Sequence, residues 1–134
     1  MCELLEHLEN PEKALVEAHR VLKKGGKGWI TMPFLYQIHP DPKDYQRWTK
    51  YKLEQTLRSI GFTKIHIEPM GGVISIILDL WHAVLERTEN KKKTIYKFSK
   101  ILFKFFSILL WPLEKKLSFY SRWMTTGWSI VVEK

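Results

Sequence analysis

The chain has 134 residues, 45% hydrophobic and 27% charged, enough for one modest core and too few for two independent ones. Lys and Arg number 22 against 14 Asp and Glu, a net charge of +8; this favours an anionic contact (nucleic acid, a phospholipid surface or a phosphorylated substrate) without choosing among them. The single cysteine, Cys2, excludes an intramolecular disulfide framework and a cysteine-based zinc site, and fits a reducing, cytoplasmic setting.

The opening residues are acidic, so no signal peptide is expected. Asn10-Pro11 reads as a helix start, with the Asn side chain as cap and proline at the first helical position. The helix is expected to run to about Lys24, burying Ala14, Leu15, Ala18, Val21 and Leu22, with Gly25-Gly26 as its stop. Gly28 to Met32 follows as a strand ended by Pro33. A capped helix, glycine turn and strand make half of a βαβ crossover. A parallel strand is therefore expected upstream of Glu3, and without it the edge at 28–32 is open to a partner chain or a second copy.

The stretch 34–48 holds His39, Asp41, Asp44 and Arg47 among aromatics; so long a loop is usually functional, and its aromatic content argues against disorder. Thr49 caps the next helix, Leu53, Leu57 and Ile60 form its buried stripe, and Gly61 closes it. Residues 63–68 alternate as a strand with one exposed face. Residues 73–87 are apolar almost all round, with Ser75, Asp79, His82 and Glu86 as one polar stripe, which predicts a mostly buried helix. A polar linker at 88–93 leads to a helix from about Thr94 to Trp111, ended or kinked by Pro112. It carries Lys97, Lys100 and Lys104 on one face and Phe98, Ile101, Leu102, Phe105, Ile108 and Leu109 over much of the rest. Its apolar runs fall far below the roughly 20 residues of a membrane span. Two readings stay open: an interfacial helix on an anionic membrane, and a cap over a substrate site with solvated lysines.

The chain resembles the C-terminal half of class I S-adenosylmethionine-dependent methyltransferases of the type 11 kind. The matching motifs are E-L-L-E-H-L at 3–8, N-P-E-K-A-L at 10–15, R-V-L-K-K-G-G-K at 20–27, H-P-D-P-K-D-Y-Q-R-W-T at 39–49, L-R-S-I-G-F at 57–62 and G-W-S-I-V-V-E-K at 127–134. The resemblance implies an α/β, partial Rossmann-like fold with strands five to seven, the last antiparallel, and a helical insertion before that last strand. It implies one incomplete domain, 1–134, with 1–72 and 123–134 forming sheet and 73–122 the insertion. It also implies S-adenosylmethionine as cofactor and methyl transfer to a small or lipid-linked acceptor. The family's glycine-rich cofactor loop has no counterpart in the sequence, because neither Gly25-Gly26 nor Gly71-Gly72 stands between a strand and a helix start. The chain alone is therefore expected to bind the cofactor weakly or not at all, and to be truncated and inactive by itself. The alternative is a non-catalytic membrane-surface or partner-binding module.

Methyl transfer from a sulfonium needs alignment of the acceptor and, for a hydroxyl, a base. His7 and His39 are the catalytic candidates; His19 and His66 read as structural or solvated, and His82 as a partner of Asp79 or Glu86. By resemblance, Glu3, Leu4 and Leu5 line the cofactor crevice. Tyr36, Asp44, Arg47 and Trp48 are candidate substrate contacts, with Arg47 as a fork for carboxylate or phosphate; an Asp44–Arg47 pair stiffening the loop is compatible with that. The run Glu3, Glu6, His7 looks like one credited with a divalent metal in related quinone-pathway O-methyltransferases. It is read here as a helix start lining the crevice, with no metal expected. No nucleic-acid motif appears.

Overall fold

The computed structural model describes residues 1–39, 42–88 and 93–134. Pro40 and Asp41 of the expected functional loop, and residues 89–92 of the expected linker, lie outside that set. The chain divides into two units: Met1–Phe34, Ile38–Met70 and Gly127–Lys134 make the first, Leu35–Gln37 and Gly71–Thr126 the second.

The first unit is a three-stranded sheet with two helices. Strands β1 (Lys27–Pro33), β2 (Lys64–Met70) and β3 (Gly127–Glu133) lie in the order β1-β3-β2, with β3 antiparallel to both neighbours. The register sets Ile30, Ile130 and Ile67 in one row across the sheet. Period-2 alternation puts Trp128, Ile130 and Val132 of β3 in the core. Helices α1 (Pro11–Val21) and α2 (Lys50–Ile60) contribute Leu15, and Leu53 with Leu57, to the same cluster. Helix α2 forms as its sequence dictates: Thr49 Oγ1 accepts from Lys52 N at 3.3 Å, and Gly61 takes φ 110°, a left-handed stop that glycine adopts without strain.

Helix α1 departs from expectation at both ends. Pro11 does occupy the first turn, but the Asn10 side chain makes no capping bond. The helix stops at Val21, not Lys24, because Leu22 turns to extended geometry and the chain heads for the end of β3. There Gly25 N donates to Lys134 O (2.9 Å) and Lys134 N to Gly26 O (3.0 Å). Val21, expected in the core, is exposed as a result.

The parallel neighbour expected beside β1 is present over three residues. Thr31 N donates to Met1 O (2.9 Å), Glu3 N to Thr31 O (3.3 Å), and Cys2 and Thr31 form a parallel bridge. Residues 4–7 and 34–39 thus follow the carboxyl ends of two adjacent parallel segments, the position where open α/β sheets bind ligands.

The second unit is a helical pair, α3 (Val73–Thr88) and α4 (Lys93–Lys116), followed by a 3-10 turn at Ser118–Arg122. Trp81 packs on Phe103 and Phe106, with ring centroids 5.6 and 5.9 Å apart. The Glu114 carboxylate caps α3, accepting from Gly72 N (2.5 Å), Ile74 N (3.0 Å) and Ser75 Oγ (2.7 Å). One expectation fails here and a second is narrowed. Helix α3 is not mostly buried, since Ile77, Leu80 and Val84 are exposed. Pro112 does not end α4, which continues to Lys116. The ring removes only the bond to the carbonyl four residues back, that of Ile108, a residue 70% exposed, where water can serve the carbonyl.

Candidate functional site

A 3-10 turn at Leu5–His7 meets residues 38–39 and 42–48 in the first unit. Gln46 fastens them: its amide donates to Leu5 O (3.2 Å) and Leu8 O (2.7 Å), while its oxygen accepts from Trp48 Nε1 (2.9 Å). Tyr45 N donates to Glu6 O at 2.8 Å and Tyr45 Oη to Glu9 Oε1 at 2.9 Å.

This fastening brings together the two histidines singled out from the sequence. Their ring centroids lie 5.0 Å apart, edge to face. Between them is Glu6, 0% exposed, whose carboxylate oxygens have no hydrogen-bond partner among the described residues. His7 Nε2 stands 3.7 Å and His39 Nε2 3.9 Å from Glu6 Oε1. Burial pushes the Glu6 carboxyl above the usual range, against smaller opposing effects of its own nearby backbone amide and the two histidines.

Each ring is oriented by its other nitrogen. His7 Nδ1 lies 2.7 Å from Lys43 O; a carbonyl only accepts, so Nδ1 carries the proton. His39 Nδ1 lies 3.3 Å from Asp44 Oδ2. Asp44 is held below its ordinary range first by its hydrogen bonds to Arg47, then by the His39 backbone N–H, so it too is an acceptor. In the neutral rings the lone pair is therefore on Nε2, the nitrogen nearer Glu6. His7 is 12% and His39 31% exposed, so the cluster opens on the His39 side.

The remaining candidates fall in several places. Asp44 and Arg47 form the paired fork, with Arg47 Nη2 2.5 Å from Asp44 Oδ2. Trp48 is a core residue whose carbonyl accepts from Trp128 Nε1 at 3.0 Å, with Lys52 over its ring at 5.1 Å. Tyr36 belongs to the second unit and is partly exposed. Leu5 is fully buried, Leu4 is exposed, and Glu3 sits exposed in left-handed geometry, φ 46°. Lys97, Lys100 and Lys104 are exposed on α4. His19 packs edge-on against Phe62, His66 lies 2.8 Å from Glu68, and His82 lies 3.7 Å from Glu86.

Glu6, His7 and His39 offer one ligand atom each within 4.8 Å of one another, a set able to hold a metal ion. It differs from the sequence run considered above: His39 is in it and Glu3 is not. Gln46, which holds the turn to the loop, carried no signal in the sequence.

The sequence profile of a family described as a methyltransferase domain matches residues 1–30. No curated protein matches the chain. Among solved structures, a SAM dependent methyltransferase from Archaeoglobus fulgidus aligns at 14% identity with TM-score 0.57, over 100% of this chain and 57% of that one. A phosphoethanolamine N-methyltransferase 2 from Haemonchus contortus, in complex with phosphomonomethylethanolamine and S-adenosylhomocysteine, aligns at 20% identity with TM-score 0.51, over 98% of this chain and 31% of that one. The cyclase SpnF aligns at 18% identity with TM-score 0.50, over 99% and 47%. The chain thus spans between about a third and just over half of these proteins. At such identities the likeness is one of fold, and the cyclase shows that this fold serves more than one reaction. The methyltransferase-domain match is confined to residues 1–30, and the likeness to solved methyltransferases is one of fold.

Proposed function

We propose that this chain is the acceptor-side portion of an S-adenosylmethionine-dependent methyltransferase, with its sheet as strands five to seven of a Rossmann-like fold. The observation that carries the reading is the placement of the Glu6–His7–His39 cluster beyond the carboxyl ends of two parallel segments, in the half of the sheet with an antiparallel middle strand. The cofactor, S-adenosylmethionine, lies along Glu3–Leu5 in this reading, as it does by family resemblance. His39, the more open ring, takes the acceptor's proton, and the buried Glu6 carboxylate behind it stabilises the imidazolium that forms. The paired Arg47 draws a carboxylate or phosphate of a small or lipid-linked acceptor.

Because the sequence contains no strand-glycine-helix turn, the chain by itself binds cofactor weakly or not at all. Calorimetry with S-adenosylhomocysteine tests this; micromolar binding by the 134 residues overturns the half-crevice reading.

A second reading concerns α4, whose Phe98, Ile101, Phe105 and Ile108 are exposed beside Lys97, Lys100, Lys104 and Lys115. Its one acidic residue, Glu114, is spent on the α3 cap. No helix is long and apolar enough, among the described residues, to cross a membrane. A basic, aromatic face of this kind suits the surface of an anionic bilayer, where each lysine contributes about 1 kcal/mol. Co-sedimentation with phosphatidylserine vesicles, lost when Lys97, Lys100 and Lys104 become Glu, is the expected result; retained binding of that variant overturns it. The outer edge of β1, paired only by Met1–Glu3 among the described residues, is proposed as the place where a further strand adds.

A further inference from the structure

We propose that Glu6, His7 and His39 bind a divalent first-row transition ion. A buried carboxylate with two acceptor oxygens and, among the described residues, no hydrogen-bond partner is costly unless something positive occupies the space before it. Both nearby imidazoles present Nε2 toward it, at 3.7 and 3.9 Å from the same oxygen. Those gaps exceed by a few tenths of an ångström the roughly 3.4 Å between ligands of a tetrahedral ion with bonds of about 2.0–2.1 Å. All three ligand atoms lie within 4.8 Å of one another, and rotation of the half-open His39 is the motion that draws the set together.

The surroundings are those of a metal site. A ligating histidine characteristically donates its other N–H to a carbonyl or carboxylate, which fixes the ring and raises its basicity. His7 does so to Lys43 O, and His39 Nδ1 stands 3.3 Å from the carboxylate of Asp44, itself held by Arg47. Two imidazoles and one carboxylate suit Zn²⁺, Co²⁺, Fe²⁺ or Mn²⁺ better than Mg²⁺ or Ca²⁺, which prefer oxygen shells. With an ion bound, His7 and His39 would hold it as ligands, in place of the proton-accepting role described above for a bare ring, and the ion would supply Lewis acidity to a coordinated acceptor oxygen. The binding itself does not depend on methyl transfer and is measured without cofactor, so either claim can fail alone.

The chain, stripped with a chelator, is titrated with Zn²⁺ by calorimetry and with Co²⁺ by visible absorption. One ion per chain is expected. His39→Ala and Glu6→Gln should each weaken Zn²⁺ binding at least tenfold, and Asp44→Asn, acting through His39, by about 10–100-fold. His66→Ala, at an exposed His–Glu pair on β2, should leave it unchanged. Because a core-facing variant can misfold, trace Mn²⁺ added to the unaltered chain provides a second readout. It should broaden the ring proton signals of His7 and His39 before those of His66 and His82. Absence of binding, unchanged affinity in His39→Ala, or Mn²⁺ broadening led by His66 or His82 overturns the proposal.

Discussion

The two units treat their apolar residues differently. In the sheet unit, Leu5, Leu15, Met32, Leu53, Leu57, Ile130 and Val132 are almost wholly removed from water. In the helical unit, α4 keeps Phe98, Ile101, Phe105, Ile108 and Trp111 exposed. Burial of apolar area drives folding, so these buried residues are committed to the sheet unit's own stability, although Val21 and Trp29 of the same unit stay exposed. Those on the outside of α4 contribute little there and remain available for contact. The difference separates a rigid support, on which the Glu6–His7–His39 cluster is built, from a surface suited to recognition.

Substitutions of equal chemistry in the two units break or sharpen that contrast. Leu57→Ala, in the sheet core, should cost about 2–5 kcal/mol in chemical denaturation, whereas Ile108→Ala should stay within about 0.5 kcal/mol; similar losses at the two positions would refute the division. Next in size is Glu114→Ala, which strips the α3 cap and leaves the donors of Gly72 and Ile74 without their acceptor. A loss of about 1–2 kcal/mol is expected, read as faster hydrogen exchange in the first turn of α3 with exchange in α2 unchanged.

Asp79 should give the smallest effect. Burial raises its carboxyl above the ordinary value, against a smaller opposing effect of His82. A folded-state value above the unfolded one means the folded form holds the proton longer. Its contribution to stability is therefore greatest below the ordinary aspartate value near 3.8, falls as pH rises through the raised value, and is level above it. Asp79→Asn should remove that fall and leave the variant a few tenths of a kcal/mol more stable at neutral pH. A variant less stable than the parent at pH 7 would mean the Asp79 charge is used by the fold.

Local signals decided what was legible in the sequence. Helix α2 is set by Thr49, a leucine stripe and Gly61, all within a dozen residues, and it forms as read. The end of α1 is set by Lys134, more than a hundred residues away, whose pairing with Gly25 and Gly26 no local pattern contains. An apolar circumference suggested burial for α3, but packing covers only the side bearing Ile74, Leu78 and Leu85. The candidate site divides the same way. His7 and His39 stood out singly as histidines beside a crevice, and the Asp44–Arg47 pair as charges three apart. Their convergence on Glu6 depends on Gln46 and Tyr45 bonding the loop to the turn, and the burial of Glu6 follows from that contact.

The central claim is that Glu3–His7 forms a cofactor-facing edge of the site. A nitrogen-15 amide spectrum of the chain, recorded while S-adenosylhomocysteine is raised to roughly ten millimolar, which would populate a millimolar complex, tests it directly. The account predicts that shifts gather at Glu3–His7 and His39, with α3 and α4 unmoved; shifts led by the helical pair would contradict it.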